Sequence, residues 1–262
     1  MTTLDESGRW FRRSRRSDRA WRRIVCFPHA GGGASYFGSW HRRLPASVEL
    51  LPVQYPGRED RMGETPFDSI GTMADSVAAA MAHMLDHPIV LFGHSMGAAV
   101  AYEAAARIQH RAGANLRCLV LSAYPAPQHI VPGVLHLASD EVLWADLKRL
   151  NGTDDALLQY DELRALVLPA LRSDYRLSET YHCKPHERLS CAVVACLGSD
   201  DPDVTPEQAA GWRAVTSGSF KLNIFPGGDH FYVKSHRDEL VELLLHELGV
   251  PSWELAQSPS TP

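Results

Sequence analysis

The chain has few cysteines and no long apolar run, and each shortage excludes a class of protein. None of the apolar stretches in its 262 residues approaches the roughly 20 residues of a membrane-spanning helix. The five cysteines are odd in number, and no pair of them has the spacing of a zinc site. We therefore expect reduced, buried thiols in a cytoplasmic protein, with no bound metal and no association with a membrane.

The chain also lacks a strong excess of charge of one sign. The net charge is -5 and 45% of the residues are hydrophobic, which favours one globular domain with an ordinary core and argues against nucleic acid as the main partner. The exception is the basic stretch "RWFRRSRRSDRAWRR" near the N-terminus. The apolar residues "IVCF" that follow are too few for an export signal, so we predict a basic arm over residues 1–20. That arm either attracts an acidic partner or is a solvated tail.

The rest of the chain alternates regularly between strand-like and helix-like segments. Strand-like runs such as "RRIVCFPH", "PIVLFGHS", "LRCLVLSA" and "CAVVACLGS" are separated by segments with helical periodicity. Such alternation with short connections is typical of βαβ units, in which a mostly parallel sheet is covered by helices on both faces. We predict one α/β domain over residues 21–250 and a disordered tail over residues 251–262.

The alternation stops between residues 125 and 186, where no convincing strand is found. Helical patterns occur in "ASDEVLWADLKRL", with Ser139 as the candidate N-cap, and in "YDELRALVLPALRSDYRLSETYH", where Pro169 is expected to interrupt the helix. A helical insertion between two strands of an α/β sheet typically covers the active-site edge and excludes water. We predict a helical lid over residues 125–186; a purely structural helical layer is the alternative.

The segment "FGHSMGAAVAYEAAARI" (residues 92–108) places a serine at a strand-to-helix junction. Gly93, Ser95 and Gly97 fit the pattern G-x-S-x-G of a nucleophile elbow, in which glycines permit a sharp turn. The N-terminus of the following helix stabilises negative charge close to the hydroxyl. We predict that Ser95 is a nucleophile; a glycine-rich turn with a capping serine is the alternative.

A serine nucleophile needs a base, and the base needs a group that orients it. In α/β-hydrolases the acid and then the histidine follow the serine along the chain. Acids come directly after a strand in "CAVVACLGSDDPDV", and Asp201 is preferred over Asp200 and Asp203 because an Asp-Pro pair suits a fixed turn. His230 follows the last predicted strand in "FKLNIFPGGDHFYV" and is the predicted base.

The oxyanion of a tetrahedral intermediate needs backbone N–H donors in a fixed pocket. Met96, the residue after the nucleophile, is predicted to supply one of them. The other is expected from the loop "FPHAGGGAS", where Ala30 is the first choice and Gly31 the alternative; a role of these glycines in a turn alone also stays open. The loop lacks the pattern G-x-G-x-x-G, so no dinucleotide site is expected. His94, beside the nucleophile, is predicted to pack under the elbow.

Six segments of the chain resemble, in this order, those of the type II thioesterases, which are discrete editing enzymes of modular polyketide synthases and nonribosomal peptide synthetases. They are "FPHAGGGASYF", "VQYPGREDR", "GHSMGA", "LRSDYRLSETY", "GSDDPDV" and "FPGGDHFYV". The similarity spans residues 5 to 250, and "PHAGG" together with "YPGRE" is its most specific part. The polyketide-associated members are the most similar.

The resemblance implies an α/β-hydrolase fold with a flexible lid and hydrolysis of acyl thioesters from the phosphopantetheine arm of a carrier protein. Stalled or wrongly primed groups, such as decarboxylated extenders, would be removed in this way. The resemblance assigns the nucleophile to Ser95, the acid to Asp201 and the base to His230. It assigns the oxyanion donors to Ala30 and Met96, and it implies no metal or cofactor beyond the phosphopantetheine of the substrate.

The implied partner is an acyl or peptidyl carrier protein, and the chain is expected to be a monomer. Carrier proteins are generally acidic, so the basic arm and "GREDR" are candidates for docking; Arg58 and Arg61 would otherwise pair with Glu59, Asp60 or neighbouring residues. A general carboxylesterase, an acyltransferase or a cyclase would use the same triad. A non-catalytic binding protein of hydrolase fold is the alternative from another class, and an intact triad argues against it.

Overall fold

A computed structural model describes residues 4–13, 20–150 and 161–255 of the chain. Residues 1–3 and 14–19 of the predicted basic arm and residues 256–262 of the predicted tail lie outside the described residues. So do residues 151–160 of the predicted lid.

A six-stranded sheet forms the centre of the molecule. Its strands are β1 (Arg22–Phe27), β2 (Val48–Pro52), β3 (Ile89–His94), β4 (Leu116–Ser122), β5 (Ala192–Gly198) and β6 (Phe220–Phe225). They lie in the order β2-β1-β3-β4-β5-β6, and every neighbouring pair is parallel, so the predicted mostly parallel sheet is confirmed. All six residues of β3 are buried, as expected for a strand covered on both faces by apolar layers.

Helices cover both faces of this sheet. They are α1 (Leu4–Trp10), α2 (Ile70–Met81), α3 (Met96–Ala112), α4 (Asp140–Arg149), α5 (Asp161–Glu179), α6 (Pro206–Ala210), α7 (Arg237–Glu247) and α8 (Ser252–Leu255). Leu91 of β3 belongs to the core cluster that contains the buried side chains of α2 and α3, whereas Val90 and Phe92 belong to the cluster that contains those of α7. Successive strand residues point to opposite faces, so one strand supplies both cores.

The region of the predicted lid contains α4 and α5 and, within its described residues, no strand. Helix α4 begins after Ser139, as predicted. The predicted interruption at Pro169 is wrong, because α5 continues through that residue. A proline inside a helix costs about 3 kcal/mol. Packing on both sides of it offsets this cost, since Leu168 and Leu171 join Leu143, Trp144 and Leu147 in one buried cluster.

The cysteines are all unpaired, and four of them are buried. Cys183 is half-buried. Within the described parts of the chain, no helix combines the length and the apolar character needed to cross a membrane.

Candidate active site

The predicted site residues converge on one edge of the sheet. Ser95 directly follows β3, and Ala30, Asp201 and His230 lie in the segments that follow β1, β5 and β6. Because all six strands are parallel, their carboxyl ends meet at the same edge. In open α/β sheets, ligands bind outside these ends, where the strand order reverses. Here the order reverses between β1 and β3, the strands that precede Ala30 and Ser95.

Ser95 occupies a strained turn between β3 and α3. Its φ of 53° and ψ of -128° lie outside the regions that L residues prefer. A Cβ atom at Gly93 would lie 2.2 Å from the carbonyl oxygen of Gly97, and one at Gly97 would lie 2.2 Å from that of Phe27. Both positions of the G-x-S-x-G pattern therefore require glycine, and the strand and helix meet closely enough to form an elbow.

Ser95, His230 and Asp201 form a continuous line of hydrogen bonds. The Nε2 atom of His230 lies 3.1 Å from Oγ of Ser95. Its Nδ1 atom lies 3.1 Å and 3.2 Å from the two carboxylate oxygens of Asp201. The Asp201 carboxylate is fully buried and also accepts the backbone N–H groups of Asp203 at 2.9 Å and Val204 at 3.3 Å. This arrangement fixes the imidazole with one nitrogen toward the serine hydroxyl, as a general base requires.

The two rival acids have other partners. Asp200 accepts a hydrogen bond from the hydroxyl of Ser199 at 2.8 Å. The carboxylate of Asp203 forms an ion pair with Arg149 at the end of α4, with the two closest contacts at 2.9 Å and 3.1 Å. The geometry therefore favours Asp201 as the partner of His230.

The two predicted oxyanion donors line the same pocket as Ser95 and His230. Met96 is the first residue of α3, where an N–H group has no partner within the helix. The N–H of Gly31 donates to Oδ2 of Asp174 at 2.7 Å and is not available to a substrate. Across the described residues, no acceptor is found for the N–H of Ala30. The structure thus favours Ala30 over the alternative Gly31.

Two buried histidines lie beside the triad. His94 is fully buried under the elbow, with Nδ1 2.9 Å from the hydroxyl of Ser122, which lies 2.6 Å from that of Tyr232. Burial lowers the pKa of His94 well below its usual value. Burial, followed by the charge of His230, lowers the pKa of His29 to about 3. Both imidazoles are therefore neutral at physiological pH and do not oppose a positive charge on His230. Sequence reasoning missed His29, although it is part of the segment "PHAGG".

A pocket of about 190 Å³ adjoins Ser95. Part of its wall comes from the carboxyl edge of the sheet, including Tyr124 and Phe231. The other part comes from the predicted lid, including Leu147, Leu150 and Tyr175, none of which the sequence pattern indicated as lining. The hydroxyl of Tyr175 donates to Asp146 at 2.6 Å, so this acidic side chain of the wall has a partner within the protein.

The arginines considered for docking are paired within the protein. Arg58 is buried against Asp174, and Arg61 is buried and pairs with Glu64 at 2.6 Å. In the described part of the basic arm, three ion pairs connect arginines to the domain. They are Arg9–Glu64, Arg12–Asp60 and Arg13–Glu49. Arg58 and Arg61 thus have no exposed charge to offer a partner in this structure.

The chain is similar in sequence and in structure to known proteins. A family model described as "Thioesterase domain" matches residues 22–248. The chain is 41% identical over 257 residues to "Probable cadicidin biosynthesis thioesterase" from Streptomyces griseus, and the alignment covers 96% of this chain and 71% of that protein. It is 41% identical over 261 residues to "Thioesterase PikA5" from Streptomyces venezuelae, and the alignment covers 98% of this chain and 92% of that protein. The solved structure of "the type II thioesterase BorB from the borrelidin biosynthetic cluster" has a TM-score of 0.85 at 40% identity and covers 91% of this chain and 97% of that one.

Proposed function

The chain belongs to the thioesterase family, and we propose that it is a type II thioesterase that hydrolyses acyl groups from the phosphopantetheine arm of carrier proteins. The observation that carries this proposal is the line from Ser95 through His230 to Asp201 beside the pocket. The relatives support the class of reaction, since one is named as a thioesterase and another as the type II thioesterase of a biosynthetic cluster. The removal of stalled or wrongly primed groups fits a discrete enzyme of this kind.

In the proposed first half-reaction, His230 removes the proton of the Ser95 hydroxyl while Oγ attacks the thioester carbonyl carbon. Negative charge develops on the carbonyl oxygen, and the N–H groups of Ala30 and Met96 stabilise it. The intermediate collapses as the carbon–sulfur bond breaks, and the imidazolium gives its proton to the departing pantetheine thiolate. The product is an ester between the acyl group and Ser95.

In the second half-reaction, His230 deprotonates a water molecule, which attacks the acyl carbon of this ester. The same two N–H groups stabilise the second oxyanion, and the serine leaves with the proton held by His230. Asp201 keeps the imidazole in the correct tautomer and stabilises its positive charge. Every step uses side chains and N–H groups of this chain, and none of them calls for a metal or a cofactor.

The size of the pocket bears on the acyl group. A cavity of about 150 Å³ accommodates a benzene-sized molecule, so a pocket of about 190 Å³ is suited to short acyl units such as decarboxylated extenders.

Unpaired thiols are typical of a reducing compartment, which agrees with action in the cytoplasm beside a synthase.

The test compares kcat/KM for one short acyl group presented as a carrier-protein thioester, as a pantetheine thioester and as a simple oxygen ester. We expect the carrier-bound thioester to be preferred. Equal or faster hydrolysis of the oxygen ester would instead favour a general carboxylesterase. The Ser95→Ala variant is the control that assigns the measured turnover to this site.

A further inference from the structure

Two segments of the sequence, "VQYPGREDR" and "LRSDYRLSETY", contribute no residue to the triad. In the structure both contact the glycine loop, which we define as residues 30–35. This loop carries Ala30, the proposed oxyanion donor, and lacks regular structure around its glycines. What fixes its shape therefore bears directly on the position of that donor.

The first segment binds the far end of the glycine loop. The side-chain oxygen of Gln54 accepts the N–H of Ala34 at 2.9 Å. The carboxylate of Glu59 accepts both the N–H of Ser35 at 3.3 Å and its hydroxyl at 2.5 Å. Glu59 has a φ of 48°, an unfavourable value for a residue with a side chain, so this contact is maintained against backbone strain.

The near end of the glycine loop is a tight turn. The N–H of Gly32 donates to the carbonyl oxygen of His29 at 3.0 Å, with Ala30 and Gly31 as the two central residues. Gly31 has a φ of 77°, which is the value of a type II turn. Type I and type II turns differ by the orientation of the peptide between the central residues. That peptide joins Ala30 to Gly31, so its orientation determines the backbone next to the donor.

The second segment selects this orientation. Asp174 of α5 is fully buried, and its Oδ2 atom accepts the N–H of Gly31 at 2.7 Å. If the peptide flipped, the carbonyl oxygen of Ala30 would face the carboxylate instead of the N–H. Arg58 pairs with both oxygens of Asp174, through Nη2 to Oδ1 at 2.8 Å and through Nη1 to Oδ2, and its Nη1 atom also donates to the carbonyl of Gly32 at 3.1 Å.

A buried ion pair of this kind gives little net stability, because desolvation of the two charges opposes their attraction. Its contacts instead converge on one turn, with the carboxylate on the N–H of Gly31 and the guanidinium on the carbonyl of Gly32. We propose that Asp174, held in place by Arg58, is a positioning residue that fixes the Ala30–Gly31 peptide and thereby aims the N–H of Ala30 at the oxyanion. This inference rests on the proposed function of Ser95 and Ala30.

The test separates the hydrogen bond to Gly31 from the buried charges. In an Arg58→Met background, Asp174→Asn keeps an oxygen that accepts the N–H of Gly31, whereas Asp174→Leu has a similar volume and no acceptor. Neither double variant contains an unpaired buried charge at this position. We expect kcat of the leucine variant to be about 10-fold or more below that of the asparagine variant, with KM within about twofold, because removal of a whole oxyanion donor costs about 100-fold or more.

Two inhibitors add a readout that a loss of packing would not reproduce. An acyl trifluoromethyl ketone forms a tetrahedral adduct with a serine and needs the oxyanion donors, whereas an acyl-chain thioether of pantetheine binds without an oxyanion. The ketone should bind more weakly to the leucine variant in proportion to its loss of kcat/KM. The thioether should bind both variants equally, and their Tm values should agree within a few degrees.

Equal kcat in the two double variants, or a loss confined to KM, would overturn the role of Asp174. The outcome for the proposed function is read separately, from Ser95→Ala in the natural chain. If that variant retains full turnover, the proposed function is wrong; if it is inactive while the two double variants are equal, only the role of Asp174 is wrong.

Discussion

The elbow around Ser95 and the predicted lid are held in place by different means. At the elbow, backbone atoms approach so closely that a Cβ atom at Gly97 would lie 2.2 Å from the oxygen of Phe27. The described helices of the predicted lid share one small cluster of five buried side chains and form partly exposed ion pairs such as Arg149–Asp203. Helix α5 is also connected to the domain through the buried Asp174 and through Leu177 in the main core. The proposed nucleophile thus lies where backbone atoms are most closely packed, and part of the pocket wall comes from helices with fewer buried side chains.

The largest expected effect is the loss of turnover when Ser95 of the elbow is replaced. Ser95→Ala should lower turnover about 10⁴-fold or more, because the line to His230 and Asp201 then lacks its nucleophile. Steady-state hydrolysis of a pantetheine thioester measures it. Circular dichroism and Tm should match the natural chain, since the substitution removes only a hydroxyl. Normal turnover in this variant would contradict the assignment of the nucleophile.

Gly97→Ala tests whether the elbow tolerates any displacement. The added methyl group would overlap the backbone of Phe27, so we expect a loss of about 3 kcal/mol or more in the free energy of unfolding, or no folded protein at all. Urea unfolding measures this loss. Gly63→Ala is the matched control, because a Cβ atom there has no neighbour within 4 Å. Equal stability of the two variants would show that the elbow is less tightly packed than described.

Leu171→Ala makes the corresponding test in the lid. Leu171 is fully buried in the small cluster, and truncation of such a leucine costs about 2–5 kcal/mol. We expect hydrogen exchange to become faster in α4 and α5, while the strands of the sheet keep their protection. Leu166→Ala is the control on the same helix, since Leu166 is 51% exposed. Uniformly faster exchange in the sheet would remove the distinction between the two regions.

A smaller expected effect is a dependence of the free energy of unfolding on pH, which arises from two buried histidines beside the triad. The pKa of His29 is lowered to about 3 and that of His94 is also lowered, whereas an unfolded histidine titrates near about 6.5. The unfolded chain therefore binds more protons between these values. The free energy of unfolding should fall as pH drops below about 6.5, by up to about 1.4 kcal/mol per pH unit for each histidine.

Urea unfolding at several pH values between about 8 and 5 measures this slope. His29→Gln should make the acid-side slope shallower and leave the slope above about pH 7 unchanged. An identical acid-side slope in this variant would mean that the His29 imidazole does not contribute.

The sequence predicted much of this fold because its evidence is local. Each strand is a short apolar run between turn residues, and the order of Ser95, Asp201 and His230 along the chain follows the pattern of the fold. The elbow was predictable because its constraint, two glycines around a serine, lies within five consecutive residues.

What the sequence did not predict depends on contacts between distant residues. Arg58 and Asp174 are 116 positions apart, and no local pattern indicates that they pair. The sequence suggested Arg58 as a docking residue because it lies in a charged segment, and only the fold shows that it is buried. The continuation of α5 through Pro169 likewise depends on packing against α4, which local propensity does not contain.

Asp203 belongs to the turn that follows Asp201 and also contacts helix α4. Its N–H group donates to the carboxylate of Asp201, and its side chain pairs with Arg149 at the end of α4. The turn that follows Asp201 is thus also connected to α4 of the predicted lid. Because Asp174 of α5 accepts the N–H of Gly31, both described helices of the predicted lid contact segments of the proposed active site. A substitution at Asp203 or Asp174 would therefore change a helix of the pocket wall and a segment of the proposed active site together.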